Sequence, residues 1–245
     1  MVVNTVAFDE KQGLKKSRTS FPKISLIVAA LNEERNLPHV LPKIPPIVDE
    51  VLLVDGYSID RTKELARELR PDIRLVTQDG KGKGNAVRCG VREATGDIVV
   101  MIDADVSMDP EEIPRFIEPL INGYDFVKGS RFLPNGGTAD MESHRKLANK
   151  AFIFLVNRLF GGKYTDLCYG YNAFWRDSFK KMEIMSDGFE IETELNIKAL
   201  KCGLSITEVP SYEESRLNGV SYLRCFRDGW RILKTILKLR FGRSY

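Results

Sequence analysis

The chain has 245 residues, 43% of them hydrophobic and 29% charged, and its formal net charge is +3 at pH 7. That length can bury a large hydrophobic core, and single α/β domains of this size are common. The small positive charge, without a basic block interleaved with aromatic residues, argues against nucleic acid as a partner. No segment approaches the roughly 20 consecutive apolar residues that a membrane-spanning helix needs.

Cysteine and histidine usage narrows the chemistry further. The four cysteines lie far apart, without a Cys-x-x-Cys pair, and the sequence contains two histidines. This pattern predicts neither a zinc site nor a disulfide framework. It also argues against a Ser/His/Asp hydrolase, because the surroundings of both histidines predict solvent-facing or helix-capping positions.

Residues 1–20 contain several lysines and an arginine but show little hydrophobic periodicity. The sequence therefore predicts a flexible basic tail over these residues. The segment lacks the apolar core of a secretory signal peptide. We therefore expect the protein in the reducing cytoplasm, where free cysteines are usual.

Four apolar runs of β-type composition follow, and amphipathic helical segments separate them. The predicted strands cover residues 24–30, 50–55, 73–77 and 97–103. Strands that alternate with helices predict an α/β fold with a doubly wound, mainly parallel, Rossmann-like sheet. Ligands bind such sheets at the carboxyl ends of the strands. Asn32, Asp55 and Asp103 fall at these ends and are therefore candidate ligand contacts.

A loop rich in glycine and lysine, residues 80–84, leads into a helix predicted to end near residues 94–96. The free N–H groups and the positive dipole of a helix N-terminus favour anionic ligands, and Lys81 and Lys83 add charge. The loop has neither the Gly-Lys-Ser/Thr ending of a Walker loop nor the spacing of the dinucleotide-binding fingerprint. It therefore indicates a site for an anion without identifying that anion.

The fourth predicted strand runs into Asp103-Ala104-Asp105. Side chains at positions i and i+2 of a strand point the same way, so both carboxylates can converge on one hard divalent ion. Mg²⁺ or Mn²⁺ accepts such oxygen ligands and leaves coordination positions open for the oxygens of a diphosphate. The alternative is that the pair ends the strand and caps the helix that begins near Pro110.

With these features in place, the sequence resembles the family 2 glycosyltransferases of the nucleotide-sugar-binding GT-A fold, and especially the dolichyl- and polyprenyl-phosphate sugar synthases. The resemblance covers residues 23–222 and depends on six motifs in the family's order. The motifs are residues 29–34, 54–62, 103–105, 127–131, 166–176 and 209–221. The expected domain organisation is the tail, a GT-A domain over residues 21–221, and a C-terminal basic amphipathic helix over residues 222–245.

The resemblance implies roles for individual residues, and several residues have more than one role. The metal, Mg²⁺ or Mn²⁺, would bind Asp103 and Asp105. Residues that would contact the nucleoside-diphosphate sugar are Ala30, Asn32, Glu33, Asp55, Lys83, Asp103 and Ala104. The acceptor phosphate would contact Arg131, Arg216 and Ser221. The catalytic residues would be Asp105, Asp166 and Arg131, although the sequence assigns no chemical step to Asp166.

Two positions depart from the family pattern. Gly56 follows Asp55 where the family usually has paired aspartates, which leaves one carboxylate for the donor base or ribose. Asn172 stands where many relatives have arginine, which removes a cation near the sugar or the acceptor. These departures bear on the identity of the base and the sugar more than on the class of reaction.

The function implied by the resemblance is an inverting transfer of a sugar to a polyprenyl phosphate such as dolichyl or undecaprenyl phosphate. The first alternative is a GT-A enzyme that acts on a sugar hydroxyl, which needs a carboxylate base. Glu190, Glu192 and Glu194 could supply one, although glutamates in such a pattern are more often solvated. In a helix Glu190 and Glu194 would share a face, with Glu192 elsewhere. A nonenzymatic nucleotide- or lipid-binding protein is less favoured, because it would not need both aspartates.

Two segments indicate contact with a membrane surface. The helix predicted through Phe152 to Phe160 is apolar on nearly all sides. In the C-terminal helix, five cations recur at helical spacing opposite five apolar residues, a pattern that suits an anionic membrane surface. We therefore expect peripheral association with the cytoplasmic membrane face. The equally weighted alternative is a helix packed on the body of the protein with a solvated basic face.

Overall fold

The computed structural model describes residues 21–139, 141–219 and 224–242. The predicted basic tail, Ser221 and both ends of the predicted C-terminal helix lie outside the described residues. The strands are β1 (Ile24–Ala30), β2 (Glu50–Asp55), β3 (Arg74–Thr77), β4 (Ile98–Asp103), β5 (Phe126–Ser130), β6 (Gly137–Thr138), β7 (Asn172–Trp175), β8 (Ile206–Pro210) and β9 (Tyr212–Glu213). The helices are α1 (Leu37–Val40), α2 (Thr62–Leu69), α3 (Lys83–Glu93), α4 (Ile113–Ile121), α5 (Ser143–Phe160), α6 (Arg176–Met182), α7 (Ile191–Lys201) and α8 (Cys225–Phe241).

Seven of the described strands form one sheet in the order β3-β2-β1-β4-β7-β5-β8. Its neighbours pair in parallel, except that β7 runs antiparallel to both β4 and β5. The prediction of a doubly wound, mainly parallel α/β sheet is therefore confirmed. The strands β6 and β9 form a separate two-stranded parallel pair.

The sheet has a hydrophobic core on each face, because successive side chains of a strand point to opposite sides. Along β1, Leu26 and Val28 belong to the core that α4 covers, whereas Ile27 belongs to the core that α3 and α7 cover. These strands read as continuous apolar runs because both faces are buried. The carboxyl ends of β1, β2 and β4 are thereby held at one edge of a rigid layer.

A third core lies where α5, α7 and α8 meet, and it attaches the C-terminal helix to the domain. Val156 of α5, Ile197 of α7, and Ile232 and Ile236 of α8 are buried there. The remaining apolar side chains of α8 include Phe226 and Trp230, which are 97% and 67% exposed. No helix in the described ranges is both long and apolar enough to cross a bilayer.

The N-terminus of α3 differs from the sequence-based expectation of an open anion site. The backbone N–H groups of Gly84 and Asn85 donate to the carbonyl oxygen of Asp187, at 2.8 and 3.2 Å. That carbonyl therefore accepts hydrogen bonds from N–H groups that were expected to be free to bind a phosphate. The cause is the loop before α7, which packs against the start of α3.

This contact generates a stability prediction at Gly84. A Cβ added there would lie 2.2 Å from the carbonyl oxygen of Ser186, a backbone atom that cannot rotate away. We expect Gly84→Ala to lower the free energy of unfolding by about 2 kcal/mol through overpacking. Thermal unfolding followed by circular dichroism should then show a melting temperature lower by about 5 °C.

Gly229→Ala is the matched control, because a Cβ at this helical glycine would meet no atom closer than Phe152 Cζ at 4.0 Å. It should leave the melting temperature unchanged or raise it slightly, since alanine is the better helix former by about 1 kcal/mol. Wild-type stability of Gly84→Ala would contradict the close packing of the 186–187 loop on α3.

Candidate active site

The strand register brings the predicted ligand contacts together. In the parallel pairs, Ala30 of β1 lies opposite Asp55 of β2, and Ala29 lies opposite Asp103 of β4. Ala30 and Ala104 are buried and contribute backbone there, because Gly56 N donates to Ala30 O and Ala104 N donates to Ala29 O. The polar side chains after these strands therefore line one edge of the sheet, as Asn32, Asp55 and Asp103 were predicted to do.

Asp103 takes part in a three-residue charge cluster. Its Oδ2 lies 2.7 Å from Lys83 Nζ, which also lies 2.8 Å from Glu192 Oε1. Burial raises the pKa of Asp103 to about 6, although Lys83 opposes that shift. Burial lowers the pKa of Lys83, but the two carboxylates outweigh it and hold that pKa above its usual value. Lys83 is therefore a charged ammonium between two carboxylates.

Asp105 is paired with a different cation. Its Oδ2 lies 2.5 Å from Arg216 Nη2, and its Oδ1 accepts hydrogen bonds from the backbone N–H and the hydroxyl of Ser107. Only 7% of the Asp105 side chain is exposed. Arg216 was predicted to contact a phosphate, and the structure places it against one of the two predicted metal ligands.

Glu33 adds a further carboxylate to this edge of the sheet. Burial raises the pKa of Glu33 to about 7; a hydrogen bond from Asn36 opposes the shift, and the charge of Asp105 adds to it. Four carboxylates, those of Glu33, Asp103, Asp105 and Glu192, thus share a region that two cations partly neutralise. Such an excess of buried negative charge favours a bound cation.

This donor set fits Mg²⁺ or Mn²⁺. In the described part of the chain no three histidine, cysteine, aspartate or glutamate residues form a metal-binding group. Asp103 and Asp105 would therefore supply two hard oxygen ligands, and the other coordination positions would remain for a diphosphate and water. Lys83 and Arg216 contact these two carboxylates, so a divalent ion would compete with both cations for the carboxylate oxygens.

Asp55 and Asn32 order the loop that follows β2. Both carboxylate oxygens of Asp55 accept from Ser58 N, at 3.2 and 3.3 Å, and Asn32 Oδ1 accepts from Ile59 N at 2.9 Å. Asn32 N in turn donates to Ser58 Oγ. The two predicted donor contacts therefore hold residues 58–59 in place beside the sheet edge.

Backbone strain, which the sequence pattern does not indicate, occurs at the same edge. Asn32, Tyr57 and Val106 have positive φ angles of 57°, 67° and 73°. Residues other than glycine rarely adopt a positive φ angle, and a β-branched residue such as valine does so least readily. These three residues follow β1, β2 and β4, and strain of this kind clusters at ligand sites.

Arg131 and Asp166 form a buried pair further along the sheet. Arg131 Nε and Nη2 donate to the two Asp166 oxygens at 2.7 and 2.9 Å, and Nη1 donates to both oxygens of Glu213 at 3.0 Å. Asn149 also donates to Asp166. Although burial raises the pKa of Asp166, Arg131 outweighs it and holds that pKa below its usual value. The guanidinium predicted to bind a phosphate is therefore held by two carboxylates.

The glutamates of α7 are not solvated, which corrects the expectation from sequence. Glu192 and Glu194 are 6% and 4% exposed. Glu192 contacts Lys83, whereas Glu194 accepts from the N–H groups of Met185 and Ser186 and lies 2.9 Å from Lys198. Glu192 and Glu194 have different partners, as predicted, whereas Glu190 precedes α7 and accepts from Gly188 N. The signal that could have identified Glu192 is a charged residue within an otherwise buried helix.

A cavity of about 720 Å³ opens beside α5. Its lining combines apolar and cationic side chains: Phe132, Lys146, Lys150, Ile153, Phe154, Asn157, Arg158 and Thr165. Phe132 follows Arg131 and Thr165 precedes Asp166, so the cavity adjoins the buried Arg131–Asp166 pair. An apolar molecule with an anionic group has the complementary chemistry.

Comparisons with known proteins identify the family of this chain. The profile of glycosyl transferase family 2 matches residues 25–183. A dolichol-phosphate mannosyltransferase from Pyrococcus furiosus is 32% identical over 86% of this chain and 64% of its own length. A dolichyl-phosphate hexose transferase from Haloferax volcanii is 32% identical over 90% of this chain and 95% of its own length.

A solved structure shows the same fold. Glucosyl-3-phosphoglycerate synthase from Mycobacterium tuberculosis, in complex with Mn²⁺, UDP and glucosyl-3-phosphoglycerate, has a TM-score of 0.70 and 24% identity, and the match covers 91% of this chain and 81% of that one. The chain spans 59% and 64% of the length of two curated relatives. With its profile match, its relatives and its seven-stranded sheet, the chain belongs to glycosyl transferase family 2 and has the GT-A fold.

Proposed function

We propose that this glycosyltransferase moves a sugar from a nucleoside diphosphate to a polyprenyl phosphate, with inversion at the anomeric carbon and with Mg²⁺ or Mn²⁺ as cofactor. The observation that best supports a polyprenyl phosphate acceptor is the apolar and cationic cavity beside α5, next to Arg131 and Asp166. Two relatives whose names specify dolichol-phosphate or dolichyl-phosphate transfer support this choice.

The donor half of the site lies around Asp103 and Asp105. These residues would hold the metal, which neutralises the leaving diphosphate when bound. Lys83 and Arg216 lie 2.7 and 2.5 Å from the two carboxylates, so both cations are close enough to bind diphosphate oxygens. Glu33 and Asn32 would line the donor site, and Asp55 would contact the nucleoside.

The acceptor half lies around Arg131 and the cavity. A phosphate monoester has a second pKa of about 6, so it is largely ionised near neutral pH and attacks without a protein base. Asp166 and Glu213 would hold the Arg131 guanidinium in place beside the cavity, where its positive charge would attract the incoming phosphate. We also assign Arg216 and Ser221 to phosphate binding, as the family resemblance implies; Arg216 lies in the loop that follows β9, and Ser221 lies outside the described residues.

The sugar-hydroxyl alternative keeps one specific observation in its favour. Glu192 is buried and contacts Lys83, which also contacts the predicted metal ligand Asp103. A hydroxyl acceptor would need such a carboxylate as a base. Glu192 Oε1 already accepts a hydrogen bond from the Lys83 ammonium, which makes it less available to take a proton. We therefore favour the phosphate acceptor.

The function is tested by incubating the protein with Mn²⁺, a panel of UDP- and GDP-sugars and a short polyprenyl phosphate. Mass spectrometry should detect a glycosylated polyprenyl phosphate with one donor, and EDTA should prevent its formation. Asp105→Asn should lower kcat/KM by roughly 100-fold or more, because it removes charge that stabilises the leaving diphosphate.

Asp109→Asn is the matched control for Asp105→Asn. Asp109 lies four residues away and caps the turn at Glu111, outside the charge cluster. It should keep wild-type turnover. Product with a free sugar acceptor, and none with polyprenyl phosphate, would favour the hydroxyl alternative, and full activity in EDTA would refute the metal.

The cavity beside α5 gives a prediction about the acceptor alone. Replacing both Lys146 and Lys150 by alanine should raise the KM for polyprenyl phosphate about tenfold, since each lost charge-assisted hydrogen bond is worth about 1.5–3 kcal/mol before solvent screening. The KM for the donor should not change. Lys180→Ala, an exposed lysine on α6, is the control; equal effects of both changes would place the acceptor elsewhere.

We further propose that α8 contacts an anionic membrane surface. Its exposed apolar residues lie along one stripe, and exposed cations flank that stripe: Phe226, Trp230, Leu237 and Phe241, with Arg227, Arg231, Lys234 and Lys238. Ile232 and Ile236 attach the helix to the domain. Apolar side chains beside cations are typical of helices that lie in the membrane interface.

Replacing Phe226 and Trp230 together by serine should weaken binding to phosphatidylglycerol vesicles about tenfold in a sedimentation assay, because the apolar area that enters the interface is lost. Ile121→Ser, a change of an exposed apolar residue on α4, should have no effect. Unchanged vesicle binding of the double variant would show that the membrane contact lies elsewhere on the protein.

A further inference from the structure

Lys83 is held by three separate elements of the fold. It begins α3, and its ammonium lies 2.7 Å from Asp103 at the end of β4 and 2.8 Å from Glu192 on α7. The side chains of Lys83 and Glu192 are 9% and 8% exposed. The ammonium is therefore shared between a predicted metal ligand and a carboxylate to which the proposed reaction gives no role.

The contact between Lys83 and Asp103 matters because Asp103 cannot bind a divalent cation and the Lys83 ammonium equally well at the same time. A metal ion at Asp103 repels the nearby ammonium and competes for the same oxygen. A buried ammonium that lost its only carboxylate would be strongly destabilised, by several kcal/mol. Glu192 supplies a second carboxylate 2.8 Å from the ammonium, so Lys83 keeps a partner.

The packing around the pair shows that space is kept for it. A Cβ added to Gly170 would lie 2.4 Å from Lys83 Nζ and 3.0 Å from Glu192 Oε1. Any side chain at position 170 would therefore displace the ammonium from Glu192. The glycine of the 166–176 motif thus permits the contact between these two residues.

We infer, on the basis of the proposed metal-dependent function, that Glu192 is a positioning residue. It retains Lys83 when Asp103 binds the metal, and it holds the ammonium at the edge of the diphosphate site. Without Glu192, the ammonium would pair with Asp103 alone and compete with the metal. Glu192 therefore acts on metal binding through Lys83 and does not act as a proton acceptor for the sugar acceptor.

The test measures the affinity for Mn²⁺ in the presence of UDP, by calorimetry or by electron paramagnetic resonance, so it does not depend on turnover. We expect Glu192→Gln to weaken Mn²⁺ binding about tenfold, a coupling typical of residues in contact. In a Lys83→Met background, where no ammonium competes for Asp103, the same change should weaken binding less than about threefold.

Glu194→Gln is the matched control, because this buried glutamate lies on the same helix and contacts Lys198 and the 185–186 loop instead of Lys83. It should leave Mn²⁺ affinity unchanged, even if it lowers the melting temperature. Equal weakening by Glu192→Gln in both backgrounds would overturn the inference, since Glu192 would then act without Lys83.

Two further outcomes separate this inference from the proposed function. Loss of turnover in Glu192→Gln with wild-type Mn²⁺ affinity would identify Glu192 as a base and overturn the positioning role. Failure of the wild-type protein to bind Mn²⁺ with UDP would refute the metal-dependent function itself. Tenfold weakening that disappears in the Lys83→Met background would support the inference.

Discussion

Buried negative charge at the carboxyl ends of β1 and β4 constrains the rest of this site. Burial raises the pKa of Glu33 to about 7 and that of Asp103 to about 6, so keeping these groups ionised requires nearby cations. Lys83 and Arg216 supply them from positions far apart in the sequence. Because an unpaired buried charge costs several kcal/mol, the start of α3 and the loop after β9 are drawn to the same place.

The loops around this charge cluster are held in strained conformations. Asn32, Tyr57 and Val106 have positive φ angles directly after or near the ends of three parallel strands. Hydrogen bonds between Asn218 and Asn36 connect the loop that carries Arg216 to the segment after β1. The rigid sheet and these cross-connections offset the strain at this edge of the sheet.

The two halves of the proposed reaction lie on differently built regions. The donor half uses parallel strands whose ends coincide by register. The acceptor half uses the antiparallel β7, the Arg131–Asp166 pair and α5, with an open cavity beside them. The 166–171 segment leads directly into β7, and hydrogen bonds from Arg131 and Asn149 hold Asp166 in place.

The sequence by itself determined the first four strands, the helices between them and the position of Asp103 and Asp105, because these depend on local hydrophobic pattern and on residues close together in the chain. It also indicated the amphipathic C-terminal helix. Only the tertiary structure decided that Asp187 covers the start of α3, that Glu192 is buried against Lys83, and that Phe226 and Trp230 of α8 face outward. Each of these depends on how distant segments pack; Lys83 and Glu192, for example, are 109 residues apart. Local pattern carries no information about such a partner, and the compensation of buried charge exists only once the chain has folded.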